Sequence, residues 1–348
     1  MGVTSVKLAA TIGWRGDAAS TAAHAQALEA AGIDQLWCGE AYSADAISTL
    51  GFLAAVTSRA ELGTSIVPLY SRTPTLLAMT AVGVDRVSGG RFNLGIGASG
   101  PQVIEGFHGV EYDAPVARTR ETIDICRSVW RRDRLVHNGD RYQVPLAEGR
   151  GTGLGKALKI MEHPLRERVP VYVASLGPKN VELTAELADG WLPLHFWPDR
   201  AREIWGTSLD AGTAKRAADL GPLEVVAGGL LAIGDDVAPL RDRARPMLGL
   251  YFGGMGARGA NFYNDLLRRY GYDREADQIQ DLYLDGKRKE AAALVPQAMV
   301  DAMSFVGDAG FVKERIDAYR EAGVTVLNVQ PVGPNGLADI ETLAGWIS

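Results

Sequence analysis

Residues 62–100 read LGTSIVPLYSRTPTLLAMTAVGVDRVSGGRFNLGIGASG, and the punctuation of this stretch decides the fold. Residues 62–67 form an apolar run of strand length. Thr73-Pro74 then provides a capping hydroxyl followed by proline at the first helical position, where the missing N–H costs nothing. Residues 92–96 are a second apolar run, and the glycine-rich loop GIGASG follows it. A strand, a capped helix and another strand within forty residues predict two parallel strands joined by a crossover helix.

The same alternation extends in both directions. Towards the N-terminus, 6–12 and 35–39 read as strands, with helices over about 20–31, closed by Gly32, and over 45–58. Towards the C-terminus, a helix over about 116–132 carries Ile123, Cys126 and Trp130 on one face, and strands are predicted over 169–174, 190–194, 223–233 and 324–329. A helix over 179–188 follows the fifth strand, an Asp308-capped helix precedes the eighth, and a last helix closes the chain. Eight evenly spaced strands suit a closed (β/α)8 TIM barrel better than an open sheet. The reading is a single domain over 1–348, with an irregular insertion at about 133–168 (a hairpin near 135–144) and a helical insertion at about 235–304.

Bulk properties narrow the function. A net charge of −6 with scattered arginines provides no basic face for nucleic acid or anionic lipid. The two cysteines, Cys38 and Cys126, stand far apart outside any CxxC or Cys/His cluster, so buried thiols are expected and no metal site. The opening MGVTSVKLAATIGW lacks a basic segment followed by a sufficient apolar run, and no stretch reaches the ~20 apolar residues of a membrane span. A cytoplasmic protein acting on a small molecule is the expectation.

In a (β/α)8 barrel chemistry gathers at the carboxyl ends of the strands. Two loops there are rich in small residues: GIGASG after the fourth strand, with Gly97, Ala98 and Ser99, and ASLGP after the fifth, with Ser175, Leu176, Gly177 and Pro178. Small residues let backbone N–H groups approach a planar or anionic ligand, and ASLGP opens a helix whose N-terminus favours phosphate. Tight helix-starting turns are the other reading. A dinucleotide fingerprint is disfavoured, because Gly95-Ile96-Gly97 stands at a fourth strand without an acidic ribose partner in context. Glu40 is either a carboxylate for proton transfer or a solvated loop residue; His195, in LHFW, is either an acid or ring donor or a packed histidine satisfied by backbone. Trp14, Phe196 and Trp197 either wall a planar ring or pack beneath the loops. No GxSxG elbow or HExxH spacing occurs.

These motifs carry a resemblance. Residues 62–100 resemble the central signature of the luciferase-like superfamily, especially its coenzyme F420-dependent branch. VPVYVASLGPKNVELTAELADGWLP and AMSFVGDAGFVKERIDAYREAGVTVLNVQPVGP look like matching parts of methylenetetrahydromethanopterin reductase. The resemblance implies a non-prolyl cis peptide at Ser65-Ile66 backing a deazaflavin ring, ring and ribityl contacts from Gly97, Ala98 and Ser99, and phosphate binding at Ser175, Leu176 and Gly177. It also implies Glu40 near the ring edge and a homodimer. Two departures bear on substrate: Thr11 stands where the reductase has a glutamate, and Glu40-Ala41 where relatives often have Asp-His. Another acid, His195 or a substrate proton, is then required. The reading is hydride transfer between coenzyme F420 and a small organic substrate. The alternatives are an FMN-dependent luciferase-like monooxygenase and a non-catalytic flavin- or deazaflavin-binding protein.

Overall fold

The computed structural model describes residues 6–347, so the part of the N-terminal leader reading that falls on residues 1–5 lies outside the described residues. Twelve strands occur in chain order among them: β1 Lys7–Thr11, β2 Gln35–Cys38, β3 Glu61–Thr64, β4 Val67–Pro68, β5 Phe92–Gly97, β6 His137–Asn138, β7 Gln143–Val144, β8 Val171–Ala174, β9 Gly190–Trp191, β10 Glu224–Ile233, β11 Ser304–Gly307 and β12 Val326–Pro331. The hydrogen-bonded order β10-β12-β1-β2-β3-β5-β8-β9 returns to β10, and every pairing along it is parallel. This is a closed eight-stranded (β/α)8 barrel whose staves are the eight strands expected from the sequence.

The barrel interior is packed. Ala9, Trp37, Tyr172, Val226 and Val326 form a buried cluster with Leu192 against it, and Trp37 meets Tyr172 edge-on at 4.9 Å between ring centroids. Room for the indole comes from Gly63, where a Cβ would lie 2.2 Å from Trp37. The larger core lies between the barrel and its helices. Thr73 caps helix Pro74–Val87 by accepting from Leu76 N, and Asp308 caps Ala309–Glu321 by accepting from Phe311 N, as the sequence pattern requires.

Three elements differ from the sequence reading. The sequence pattern marks no helix over 195–222, yet Pro198–Thr213 is helical, starting with proline in its first turn and burying Ala201 and Trp205. The loop after β5 contains a short helix, Pro101–Gly106. The helical insertion ends in a ninth parallel strand, β11, which pairs with β10 at Leu230–Ile233, above the Glu224-Val225 segment that pairs with β9. Its four residues, SFVG, are too short to show a period, and only the length of β10 creates a free edge for them. The predicted hairpin is present as the antiparallel pair β6–β7. No helix among the described residues is long and apolar enough to cross a membrane.

Candidate active site

The third stave is broken at its carboxyl end. The Ser65–Ile66 peptide is cis, and the chain resumes as β4 beside β5. Thr64 replaces the missing rung of the ladder: its hydroxyl donates to Gly95 O at 2.7 Å and accepts from Gly95 N at 2.8 Å. The approach is so close that a Cβ on Gly95 would lie 1.7 Å from Thr64 O, so only glycine fits. Beyond this point Pro68 pairs with Gly97 and Gly97 with Ala174. That register brings Ser65-Ile66, Gly97-Ala98-Ser99 and the loop Ser175-Leu176-Gly177-Pro178 side by side on one lip of the barrel mouth. Ile66 lies against Gly97, where an added Cβ would be 3.2 Å from its side chain.

The loop after β8 is tied down from its inner side. Ser175 is buried and its hydroxyl shares a 2.8 Å hydrogen bond with Thr184; its carbonyl accepts from Trp191 Nε1 at 2.9 Å. The Leu176 carbonyl accepts from Trp205 Nε1 at 3.1 Å and Arg269 Nη1 at 3.0 Å. Gly177 then starts helix Pro178–Leu187 without a side-chain cap, so the first N–H groups of that helix point outward unclaimed by a side chain. Asn180 Oδ1 in the first turn is buried without a hydrogen-bond partner. Arg269 has no carboxylate partner among the described residues, and burial holds its guanidinium below the usual arginine range. A helix N-terminus beside an uncompensated cation is a favourable place for an anion. Arg269 was not found from sequence; it sits in the helical insertion with no local motif to mark it.

Glu40 is 8% exposed, which excludes the solvated reading. Arg72 grips both carboxylate oxygens, at 2.7 and 2.8 Å, and also reaches Asp45 at 2.9 Å. Ala46 N donates to Glu40 Oε2 at 3.2 Å, at the start of helix Ala46–Val56. Bidentate pairing of this kind holds a carboxylate in one orientation. Arg72 lies inside the stretch that was read first, and only the folded loop reveals it as Glu40's partner. Thr11 Oγ1 accepts from Asn328 Nδ2 at 3.4 Å.

His195 follows β9 in a left-handed conformation, φ 55°. Ala41 (φ 45°) and Ser99 (φ 60°), in the loops after β2 and β5, share this uncommon geometry. The backbone-satisfied reading holds for the His195 carbonyl, which accepts from Tyr270 Oη at 3.0 Å, but not for the ring. Its Nε2 is buried and has no partner. Tyr251 lies edge-on to the ring at 4.7 Å, with Phe252 at 5.2 Å and Tyr263 at 5.8 Å. Burial pushes the imidazole down to about 3. His195 is therefore neutral at ordinary pH.

Phe196 and Trp197 do not wall the mouth. Phe196 stacks on Trp205 at 5.5 Å, and Trp197 lies over Tyr272 at 6.2 Å, both within the core. Trp14 is 44% exposed and stacks on Phe52 at 5.3 Å. Cys38 and Cys126 are buried free thiols. A cavity of about 460 Å3 opens at the opposite end of the barrel, lined by Lys7, Glu61, Asn93, Tyr172 and Glu224 among others; its polar groups pair with one another, whereas His195 Nε2 and Asn180 Oδ1 at the mouth have no partner.

A closed parallel barrel that places the unpaired His195 Nε2 and Asn180 Oδ1 and the left-handed Ala41, Ser99 and His195 at the carboxyl ends of its strands has the layout of a (β/α)8 enzyme. The profile of the luciferase-like monooxygenase family matches residues 2–326, and the chain belongs to that family. A Mycobacterium tuberculosis protein assigned as a coenzyme F420-dependent oxidoreductase is 42% identical over 320 residues, 91% of this chain and 92% of its own length. The 5,10-methylenetetrahydromethanopterin reductase of Archaeoglobus fulgidus is 27% identical over 322 residues, 90% of each chain. Among solved structures, the coenzyme F420-dependent tetrahydromethanopterin reductase of Methanopyrus kandleri superposes with a TM-score of 0.80 at 21% identity, covering 98% of this chain and 97% of its own.

Proposed function

We propose that this chain is an oxidoreductase that transfers a hydride between coenzyme F420 and a small organic substrate at the barrel mouth. The observation that carries this is the continuous lip of uncharged, mostly small residues from Ser65-Ile66 through Gly97-Ala98-Ser99 to Ser175-Leu176-Gly177-Pro178, ending at an uncapped helix N-terminus with Arg269 beside it. A flat ring system with a phosphate-bearing tail needs these two parts, a surface without projecting side chains and an anion site. The residues present fit the group on two further counts: a Cβ at Gly177 would meet nothing within 4 Å, which leaves open space at the anion site, and Asn180 Oδ1 and His195 Nε2 are buried polar atoms still lacking partners. The F420-dependent oxidoreductase relative at 42% identity supports the same cofactor.

In this reading Ser65, Ile66, Gly97, Ala98 and Ser99 back the ring, and Ser175, Leu176 and Gly177 hold the phosphate through backbone N–H groups, with Pro178 setting the start of the helix beside it and the charge of Arg269 aiding. When bound, the deazaflavin supplies the hydride chemistry. Glu40 acts by fixing Arg72 at the ring edge, and His195 as a neutral hydrogen-bond partner. The chain's own contribution is to position the reactants and exclude water. The reading extends to one domain over residues 1–348, acting in the cytoplasm as a homodimer without nucleic acid or membrane partners.

Titration of the purified protein with coenzyme F420 and with FMN, followed by quenching of cofactor fluorescence, tests the proposal. Micromolar binding of F420 with negligible FMN binding is expected. The reverse preference, with oxygen consumption by the reduced protein, would make the chain an FMN-dependent monooxygenase. Binding without hydride transfer to any substrate would leave a non-catalytic cofactor-binding protein.

A further inference from the structure

A proton donor for hydride transfer is missing from the positions where the family resemblance looks for one: Thr11 is no acid, Glu40 is gripped by Arg72, and His195 is neutral. The helical insertion supplies another candidate. Tyr251, near the end of helix Arg245–Gly254, and Tyr263, in the first turn of helix Phe262–Arg269, cross edge to face at 4.7 Å beside the His195 ring. Gly100, following the Ser99 loop, faces the Met255 carbonyl at 3.9 Å from its Cβ position, so this bend lies over the lip already described. Neither phenol is hydrogen-bonded to another described residue.

The two rings are held in place by a dedicated pair of buried amides. Asn261, 1% exposed, donates to the carbonyls of Tyr251 at 3.0 Å and Phe252 at 3.1 Å, while its Oδ1 accepts from Tyr263 N at 3.0 Å and Asn264 N at 3.2 Å. Asn264, 3% exposed, donates to Phe252 O at 2.9 Å and Ala276 O at 2.7 Å. Buried side-chain amides satisfied in this way join two helices into one rigid corner. Tyr42 and Tyr112 bring further phenols near Tyr251 and Tyr263 respectively, and Tyr42 meets Phe107 at 6.2 Å. The groups acting electrostatically on the two phenols are other tyrosines, with no charged side chain among them. The nearby ionic groups Glu40–Arg72 and Arg118–Asp113 are already matched.

We propose that Tyr251 is the proton donor of the reaction and that its substrate is a small, neutral, carbonyl-bearing molecule held in the aromatic corner formed by Tyr251, Tyr263 and His195. This rests on the F420-dependent reading. The carbonyl carbon accepts hydride from the reduced deazaflavin, the C=O π pair moves onto oxygen, and that oxygen takes the proton as the Tyr251 Oη–H bond breaks. Water then reprotonates the phenolate. Burial raises the Tyr251 phenol above its ordinary range, which keeps the proton in place until the oxygen becomes basic.

The test uses cyclohexanone as the ketone and methylenecyclohexane as its hydrocarbon isostere, with wild type, Tyr251→Phe and Tyr263→Phe. Binding of each probe to the cofactor-free protein is read by intrinsic fluorescence. The ketone should bind about 3–10-fold more weakly to Tyr251→Phe than to wild type, as expected for one lost hydrogen bond, with the hydrocarbon unchanged. In turnover with reduced F420, kcat of Tyr251→Phe should fall about 100-fold or more, with KM changing far less, and should fall further than that of Tyr263→Phe. F420 affinity should be the same in all three proteins. Wild-type ketone binding or wild-type kcat in Tyr251→Phe would overturn the assignment, as would a wild type that fails to distinguish ketone from hydrocarbon. Failure of the wild type to bind F420 would instead remove the cofactor reading, and the ketone-binding comparison would still judge the tyrosine.

Discussion

The two ends of this barrel are built from similar residue types in opposite states. At the amino ends of the strands, Lys7 Nζ pairs with Glu224 at 2.9 Å and Glu61 at 3.3 Å; Gln35 and Asn93 donate to Glu61 at 2.9 and 2.8 Å, and the Tyr172 hydroxyl donates to Glu224. Trp37 Nε1, from inside the barrel, closes the set on Gln35 Oε1 at 3.1 Å. At the carboxyl ends, His195 Nε2 and Asn180 Oδ1 are buried without partners, Arg269 has no carboxylate, and Ala41, Ser99 and His195 hold left-handed backbone. Polar groups that satisfy one another stabilise a fold, whereas groups kept unsatisfied at a cost in stability are available to a ligand. The contrast assigns stability to one end and chemistry to the other.

The largest effect should come from filling the anion site. Gly177 has ordinary backbone, φ −72°, and open space at its Cβ, so Gly177→Leu is expected to fold normally and to lose about 100-fold or more in F420 affinity; equal melting temperatures with unequal titrations check both halves. Next, Arg269→Gln should weaken F420 by about 10-fold through loss of one charge near the phosphate, and the loss should be absent for a cofactor fragment lacking the phosphate. The opposite end should respond in the other currency. Glu61→Ala is expected to cost about 1 kcal/mol after solvent screening, measured by urea denaturation, with F420 affinity unchanged. An altered affinity there would break the division between the two ends.

Two pH dependences sharpen the comparison and are the smallest effects near neutrality. Burial alone would lower Lys7, but Glu224 and Glu61 outweigh it and raise it. Its stabilisation is thus fully present below the unfolded lysine value, about 10.4, and is lost as pH rises through the folded one; Lys7→Met should flatten that alkaline limb. His195 has the opposite sign. Lowered by burial from 6.5 to about 3, it contributes stability above pH 6.5 that is lost as pH falls from 6.5 towards about 3. His195→Asn, which tolerates the left-handed backbone, should make the acid limb shallower and leave stability at pH 8 almost unchanged.

The staves were legible because each is an apolar run bounded by a cap or glycine: Thr73-Pro74, Gly32 and Asp308 all mark the ends they were expected to mark. Helix Pro198–Thr213 is hard to read from sequence because its start, LHFWP, looks like aromatic packing. In the fold, Phe196 and Trp197 do pack, and the helix begins immediately after them. Strand β11 could not be read because four residues carry no period. The small-residue loops at Gly97-Ala98-Ser99 and Ser175-Leu176-Gly177 were visible from composition alone, whereas Arg72, Arg269, Tyr251 and Tyr263 were not. Arg269, Tyr251 and Tyr263 stand far from those loops in sequence, and all four look like ordinary arginines and tyrosines on helices and turns.

Local chemistry therefore determined what could be written along one dimension: parallel strands, crossover helices, glycine loops with room for a ligand, and membership of an enzyme family. Which cation balances which carboxylate, whether a histidine ring is satisfied, and which phenols pack beside it were decided only by closure of the barrel. Closure brings β8 beside β5 and swings the insertion over both, and partnerships between groups over a hundred residues apart exist only after that has happened.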